Sequence, residues 1–451
     1  MSQPRSYATA PPPGTPAGSA TAATGPASGN AVAPAGATGQ QLASSPDQQA
    51  LGQGQNDTPR RLRLLTTALI LVGLLFGVAG AVSFAGMAAS LERAEANTDQ
   101  LIRVQQIQTN LLSADATATS AFLVGGLEPP AQRSAYDQAV AATGRLIAQA
   151  SDAQPADAAA LSRLNQSVVN YAVSIEQARA NNRQGFPVGA AYLRNASSTL
   201  RSDALPILDN LVSANSTRAA DEMDSRIGWL FGIVGLLALA ALVTAMVWVA
   251  RRFKRWINVG LLSAGLLVLL SWVAGVVVLA QVGSQVNGIQ QGSFSSVNSA
   301  AAARIQANNA KSNESLTLIA RGSGATFEQA WAASAGQVDS RLASVPGADL
   351  ARAWTPYKMT HQQIRKLDDG GSWDAAVALT TGSGATSSNV LFGRFDAAAT
   401  TFLDDASEET STGLAAPQAL LVVLAILTFL AGVGAALLAR WGLAERLREY
   451  R

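Results

Sequence analysis

Four stretches of the chain are apolar over more than 20 residues and hold no ionisable group: Leu64–Ala88, Ile227–Ala250, Val259–Val282 and Ala416–Ala439. Each is long enough to cross a ~30 Å hydrocarbon core at ~1.5 Å per residue, and a soluble helix has no need to be apolar on every side. The segments between them follow a different pattern. Over 89–226 a heptad seam runs through Ala94, Leu101, Gln108, Asp115 and Phe122, with Val104, Leu111 and Ala118 at the second seam position. Gly and Pro cluster at "VGGLEPP" (124–130), "DAQPAD" (152–157) and "RQGFPVG" (183–189), and again at "RGSGAT" (321–326), "SVPGAD" (344–349) and "DDGGSW" (368–373). Three breaks divide each long segment into four helices, and Pro129, Pro130, Pro155 and Pro187 suit first-turn positions. Strand patterns are nearly absent. The pattern therefore predicts an all-α membrane protein, with four transmembrane helices and two extracytoplasmic four-helix bundles.

The two long segments also resemble one another. "AFLVGG" (121–126) falls over "LIARGS" (318–323), so that Gln108, Asp115 and Phe122 meet Ile305, Ser312 and Ile319, while "GFPVGAAYL" (185–193) resembles "GSWDAAVAL" (371–379). The chain reads as a tandem repeat of one unit: span, bundle, span. Helices one and four of each bundle show no break signal before the adjoining span, which predicts continuous rods from bundle tip to membrane.

Charge placement orients this arrangement. Residues 1–63, 251–258 and 440–451 together hold 12 basic and 4 acidic residues, whereas the two long segments hold 20 basic and 26 acidic. The excess of Arg and Lys beside the spans places both termini and the 251–258 loop in the cytoplasm, and both bundles outside, in a bacterial plasma membrane. Trp248, Trp256 and Trp441 at inner ends and Trp229 near an outer end fit interfacial belts. The predicted domains are 1–60, a disordered tail poor in large apolar residues; spans at 64–88, 227–250, 259–282 and 416–439; bundles at 89–226 and 283–415; the basic loop 251–258; and the tail 440–451. The first span is longer than the ~7–15 residues of a signal-peptide core, so it reads as a retained anchor.

Composition narrows the chemistry. With no Cys and a single His, there is no disulfide framework, thiol nucleophile or multi-His metal centre. Phosphate-binding, dinucleotide, zinc-protease and nucleophile-elbow motifs are missing. No catalytic, cofactor or metal residues are expected. The spans lack the buried ionisable group of ion-coupled transporters, which argues against transport. Near-balanced charge, with 32 Lys and Arg against 30 Asp and Glu, gives no reason to expect nucleic acid.

Several residues nevertheless stand out. Asp115 is a charge on an apolar seam with Gln108 one heptad below; it reads either as a polar layer inside the bundle or as a half-exposed carboxylate paired with Arg163 or Arg201. His361 reads as an ordinary surface or satisfied residue, and Pro206 as a kink in helix four. "GLLFG" (73–77) and "GWLFG" (228–232) read equally as close-packing motifs or as chance in a Gly-rich chain. The tips, with Gly125, Gly126, Arg183, Gly185, Phe186 and Pro187, form the expected docking surface for a partner. In the short loop, Arg251, Arg252, Lys254 and Arg255 fix topology, meet anionic lipid at the inner face, and offer a cytoplasmic contact.

A span, an outer four-helix bundle and a second span resemble the sensor half of bacterial chemoreceptors and histidine kinases, here present twice in one chain. The segments "RVQQIQTNLLSADATATSAFLVGGLEPPAQRSAYDQA" (103–139) and "NNRQGFPVGAAYLRNAS" (181–197) more closely resemble the GlnX-type four-span membrane proteins of actinobacteria, over about residues 60–440. That resemblance implies a relay. A solute-binding lipoprotein, GlnH, takes up an amino acid outside and docks on this chain, and a cytosolic Ser/Thr kinase, protein kinase G, responds inside. The residues themselves leave two alternatives open: a direct small-ligand receptor with its site inside or between the bundles, and a transporter component or scaffold.

Overall fold

The computed structural model describes residues 57–124, 128–184, 188–224, 228–253 and 258–448. These are almost entirely helical, with no strand among them, and four helices are long and apolar enough to cross a membrane. The all-α, four-span expectation holds.

Helix α1 (Asp57–Val124) is a single helix of 68 residues that includes the first span and reaches the tip of bundle one. The chain returns through α2 (Pro130–Ala153), a 3₁₀ turn at Pro155–Asp157, and α3 (Ala158–Arg183). Pro130 opens α2 where a backbone N–H has no acceptor to lose. The buried positions of α3, Leu161, Leu164, Val168, Tyr171, Ile175 and Ala178, alternate three- and four-residue steps and so lie on one face. The fourth helix comes in two pieces, α4 (Val188–Thr199) and α5 (Leu205–Met223), joined by a π turn at Leu200–Ala204. Pro206 is the cause: it lacks an N–H and crowds the preceding turn, and the wider turn absorbs the misfit, with Leu205 N–H reaching Leu200 O. The second span lies in α6 (Gly228–Phe253).

The second repeat differs at its junctions. The third span lies in α7 (Val259–Gln291), and bundle two follows in α8 (Ser293–Ile319), α9 (Ala325–Leu342), α10 (Asp349–Asp369), α11 (Trp373–Thr381) and α12 (Ser388–Ala415). The fourth span lies in α13 (Gln418–Arg448). The expected unbroken rods are interrupted twice here. Gly292 takes φ −97°, ψ −103°, a conformation in which a Cβ would stand 2.8 Å from Gly288 O. Pro417 cannot bond Gly413 O, and Gln285 Nε2 reaches that carbonyl instead at 3.4 Å. The fourth helix of bundle two is also split, by the turn between Thr381 and Ser388. In the first repeat α1 is unbroken, while the junction at 225–227 lies outside the described residues.

The spans share one core with the lower ends of the bundles. Phe231 sits fully buried between Phe76 and Phe84, at ring-centroid distances of 5.6 and 5.3 Å. Gly73 and Gly77 let α1 cross α13 at backbone contact; a Cβ on Gly73 would meet Gly432 O at 2.9 Å, and one on Gly77 would meet Phe429 O at 2.9 Å. Gly232, from the second such motif, faces open space. At the other end of the spans Asn258 caps α7 through Leu261 N–H and donates to Gly442 O at 2.9 Å, tying α7 to α13.

Bundles one and two each have a core of their own, but the two bundles are not separate bodies. Ile305 belongs to the core of bundle one, and Leu123 to the tip core of bundle two with Leu318, Ile364 and Ala376. Helix α8 is buried on nearly every side, which explains why its sequence is small and polar, "NSAAAARIQANNAKSNES" (298–315), and lacks an apolar stripe.

Candidate functional site

The first helices of the two repeats, α1 and α8, lie against each other, and their polar seam residues meet. Gln105 Nε2 donates to Asn298 Oδ1 at 3.0 Å, and Asn389 Nδ2 on α12 donates to Ser120 Oγ at 3.1 Å. Between these contacts Asp115 Oδ2 accepts from Ser312 Oγ at 2.6 Å. Ser312 is the residue that the sequence alignment of the repeats sets over Asp115. Direct contact between two equivalent positions fits a pseudo-two-fold relation between the repeats, with this pair near the axis.

Asp115 has no exposed surface, so it is not the half-exposed carboxylate of one sequence reading. Its Oδ1 accepts from Ser197 Oγ on α4 at 2.5 Å and from Tyr171 Oη on α3 at 3.4 Å; its Oδ2 also lies 3.1 Å from Arg201 Nη2. Arg201 donates in turn to Ser312 Oγ at 3.0 Å. A buried carboxylate is tolerated only where donors replace water, and here they come from both repeats. Burial, followed by the neighbouring Asp115 charge, pushes the Tyr171 phenol well above its usual range, so it stays a donor. Arg163 takes no part; its Nε donates to Ala159 O. Gln108 lies two turns away and serves a different contact, donating to Asp209 Oδ1 at 2.9 Å.

Bundle two holds a second polar cluster; of its members the sequence reading singled out only His361, as a surface or satisfied residue, and it is buried and satisfied. Lys311 on α8 bonds Glu314 Oε1 at 2.7 Å and Ser388 Oγ at 2.8 Å. The other oxygen of Glu314 lies 3.0 Å from His361 Nδ1, and His361 Nε2 lies 3.2 Å from the Glu328 carboxylate, which Arg365 approaches at 3.4 Å. The Trp331 ring stacks on the imidazole at 3.5 Å. Burial works against a charged His361, but the hydrogen bonds and charges of Glu314 and Glu328 outweigh it and raise its pKa above 6.5. Burial likewise opposes the Glu314 charge, yet Lys311 and His361 hold it down at about 2. Lys311 is lowered by burial. The lone histidine is thus a core residue whose protonated form clamps two carboxylates from α8 and α9. One signal was present: Leu350, Trp354, Tyr357, His361 and Ile364 form an unbroken three-four seam on α10. Among the described residues no group of His, Asp and Glu has the spacing to hold a metal ion.

At the tip of bundle one, Arg183 borders a cleft of about 440 Å³ whose rim also carries Glu128, Arg133, Glu176 and Arg179. Arg179 pairs with Glu128 at 2.9 Å and Glu176 at 2.8 Å, and lies 4.0 Å over the Tyr136 ring. The other expected docking residues, Gly125, Gly126, Gly185, Phe186 and Pro187, lie outside the described residues, as do Lys254 and Arg255. Arg251 and Arg252 are exposed in the last turn of α6.

No curated protein and no solved structure matches the chain. A family model does: residues 90–224, which cover bundle one with Asp115 and the tip cleft but not Ser312, match the actinobacterial sensor domain, so this multi-pass membrane protein carries a sensor domain.

Proposed function

We propose that the chain is a non-catalytic transmembrane sensor that relays amino-acid availability outside the cell to a cytoplasmic Ser/Thr kinase, through a solute-binding lipoprotein that docks on the bundle tips. The observation that carries this reading is α1, whose 68 residues run unbroken from the tip cleft through the first span. At ~1.5 Å per residue that is a rod of about 100 Å. A packed bundle on such a rod passes on a tip event as a small shift or rotation between discrete packings. The charge distribution supports bundles outside and both termini inside. The sensor-domain match supports sensing, and the resemblance to GlnX-type proteins supports the lipoprotein, the kinase and the amino acid. Arg251, Arg252, Lys254 and Arg255 then lie where a cytoplasmic partner and anionic lipid both reach them.

The test is co-purification of the full-length protein after mild cross-linking in cells, with charge-reversing substitutions of Arg133 and Arg183 at the tip. Capture of an amino-acid-binding lipoprotein that falls at least tenfold in the double variant supports the reading. Capture that is absent, or equal in both proteins, contradicts it.

A further inference from the structure

Between α1 and α6, at the Arg-rich end of the spans, an open groove of about 600 Å³ runs along the outside of the helix pair. Leu69 and Ala245, both buried, make its floor, and half-buried Leu65, Val72 and Ala241 its walls. Ala68 and Thr244 are its exposed lips. The small side chains at 68, 241 and 245 leave the space that larger ones would fill. Thr244 spends its hydroxyl proton on Ala240 O at 2.7 Å, so the groove below its mouth is aliphatic in character. The rise from Arg61 to Val72 is about 16 Å at ~1.5 Å per residue, roughly half of a ~30 Å hydrocarbon core and so the depth of one leaflet. The spans of the second repeat are closed at this same end: a Cβ on Gly260 of α7 would stand 2.5 Å from Gly442 Cα of α13, and Asn258 donates to Gly442 O. The mouth of the groove is basic. Arg61 lines it and Trp248 stands on its α6 side, Arg60 and Arg63 are exposed next to Arg61, and Arg251 and Arg252 are exposed one turn beyond Trp248. Residues 57–72 and 241–253 together carry these five Arg and one acid, Asp57.

We propose that this groove holds one phospholipid with an anionic headgroup, its acyl chain lying between α1 and α6 and its phosphate at Arg61. Both helices are membrane spans, so the groove opens into lipid, and the molecules at hand to fill it are acyl chains. A chain that starts at headgroup level and ends near the bilayer centre has the length of the groove. Trp248 sits where an amphipathic ring meets the interface. Charge complementarity selects the headgroup: five guanidinium groups against one carboxylate favour a lipid with net negative charge over a zwitterionic one. Arg61 and Arg252 each hold another contact, and a guanidinium, with five N–H donors in a planar fork, serves a phosphate besides. The diffuse attraction of the 251–258 loop to an anionic surface needs no groove and no stoichiometry, whereas a seated lipid has both. It would also cement the one pair of spans that adjoins the sensor domain on both sides. The proposal goes beyond the relay, since it involves neither the lipoprotein nor the kinase.

The test is native mass spectrometry of the full chain, reconstituted in vesicles of equal parts phosphatidylglycerol and phosphatidylcholine and then released from mild detergent. One phosphatidylglycerol retained per chain is expected, at least tenfold over phosphatidylcholine. Ala68→Trp, which fills the groove from an exposed lip, should cut retention at least tenfold while the helical circular-dichroism signal is kept. Thr244→Trp, from the opposite lip, should do the same and decides if Ala68→Trp does not fold. Val78→Trp, at an exposed position of α1 away from the groove, should leave retention unchanged. Arg61→Gln should bring the preference for phosphatidylglycerol to within about twofold. No retained lipid, equal retention of the two lipids by the unaltered chain, retention unchanged in both folded lip variants, or an equal loss in Val78→Trp overturns the proposal. A dimer mass without lipid also overturns it, and means that a second copy covers the groove. Lipoprotein capture is read separately, so the relay stands or falls on its own test.

Discussion

Asp115 is a carboxylate with no exposed surface, held by donors from two repeats. Asp115→Ala leaves Arg201, Ser197, Ser312 and Tyr171 without their shared acceptor. Breaking a buried pair on one side costs about 3–5 kcal/mol; Arg201 is 26% exposed and can turn to water, so the lower end, about 3 kcal/mol, is expected in denaturant titration of the detergent-solubilised protein. His361 makes a prediction with a sign. Its folded pKa is raised above 6.5, so its contribution to stability is complete below that pH and shrinks as pH rises through the folded value. The groups facing it are Glu314 from α8 and Glu328 from α9, with Lys311 and Arg365 behind them. The melting temperature should fall as pH rises from about 6.5 through the raised folded pKa, and His361→Gln should flatten that slope. Glu314, held at about 2, adds the opposite limb: its contribution is present above 4.5 and lost as pH falls toward 2. Asp115 was legible in the sequence because a charge on an apolar seam has to be paired with something. The partners of His361 were not, because they stand 47 and 33 residues away on other helices. No local pattern carries that distance.

Among the elements, identical motifs part company. "GLLFG" and "GWLFG" look alike in sequence, yet only the first meets another helix at backbone contact. The difference lies in the partner, Gly432 on α13, some 350 residues further on, and single-helix periodicity contains nothing of it. Gly77→Leu should therefore lower stability by roughly 1–3 kcal/mol through overpacking, whereas Gly232→Leu should change it by less than about 0.5 kcal/mol. Thermal melts of the two variants side by side check both. Helix positions followed from Gly and Pro punctuation in each bundle. Finer geometry did not. The break at Gly292 depends on a single unusual backbone conformation. The interruption at Pro417 is filled by a glutamine from α7. The split between Thr381 and Ser388 lies in a turn whose Gly and Ser also occur inside helices of this chain.

For the whole molecule, the tandem repeat is the organising fact. The alignment that set Asp115 over Ser312 anticipated which repeat positions correspond, but not that the two side chains bond. It could not reveal that α8 is buried nearly all round, since burial by a neighbouring bundle leaves no apolar stripe. In the folded chain α1 of the first repeat faces α8 of the second, which joins the two halves into one body. The chain has no Cys, so introduced pairs report without background. The most direct measurement is cross-linking of Gln105→Cys with Asn298→Cys in membranes by a short bis-maleimide. Rapid cross-linking within one chain is expected, with the monomer mass unchanged, and none for either single variant. Failure to cross-link, or cross-linking only between two chains, would contradict it.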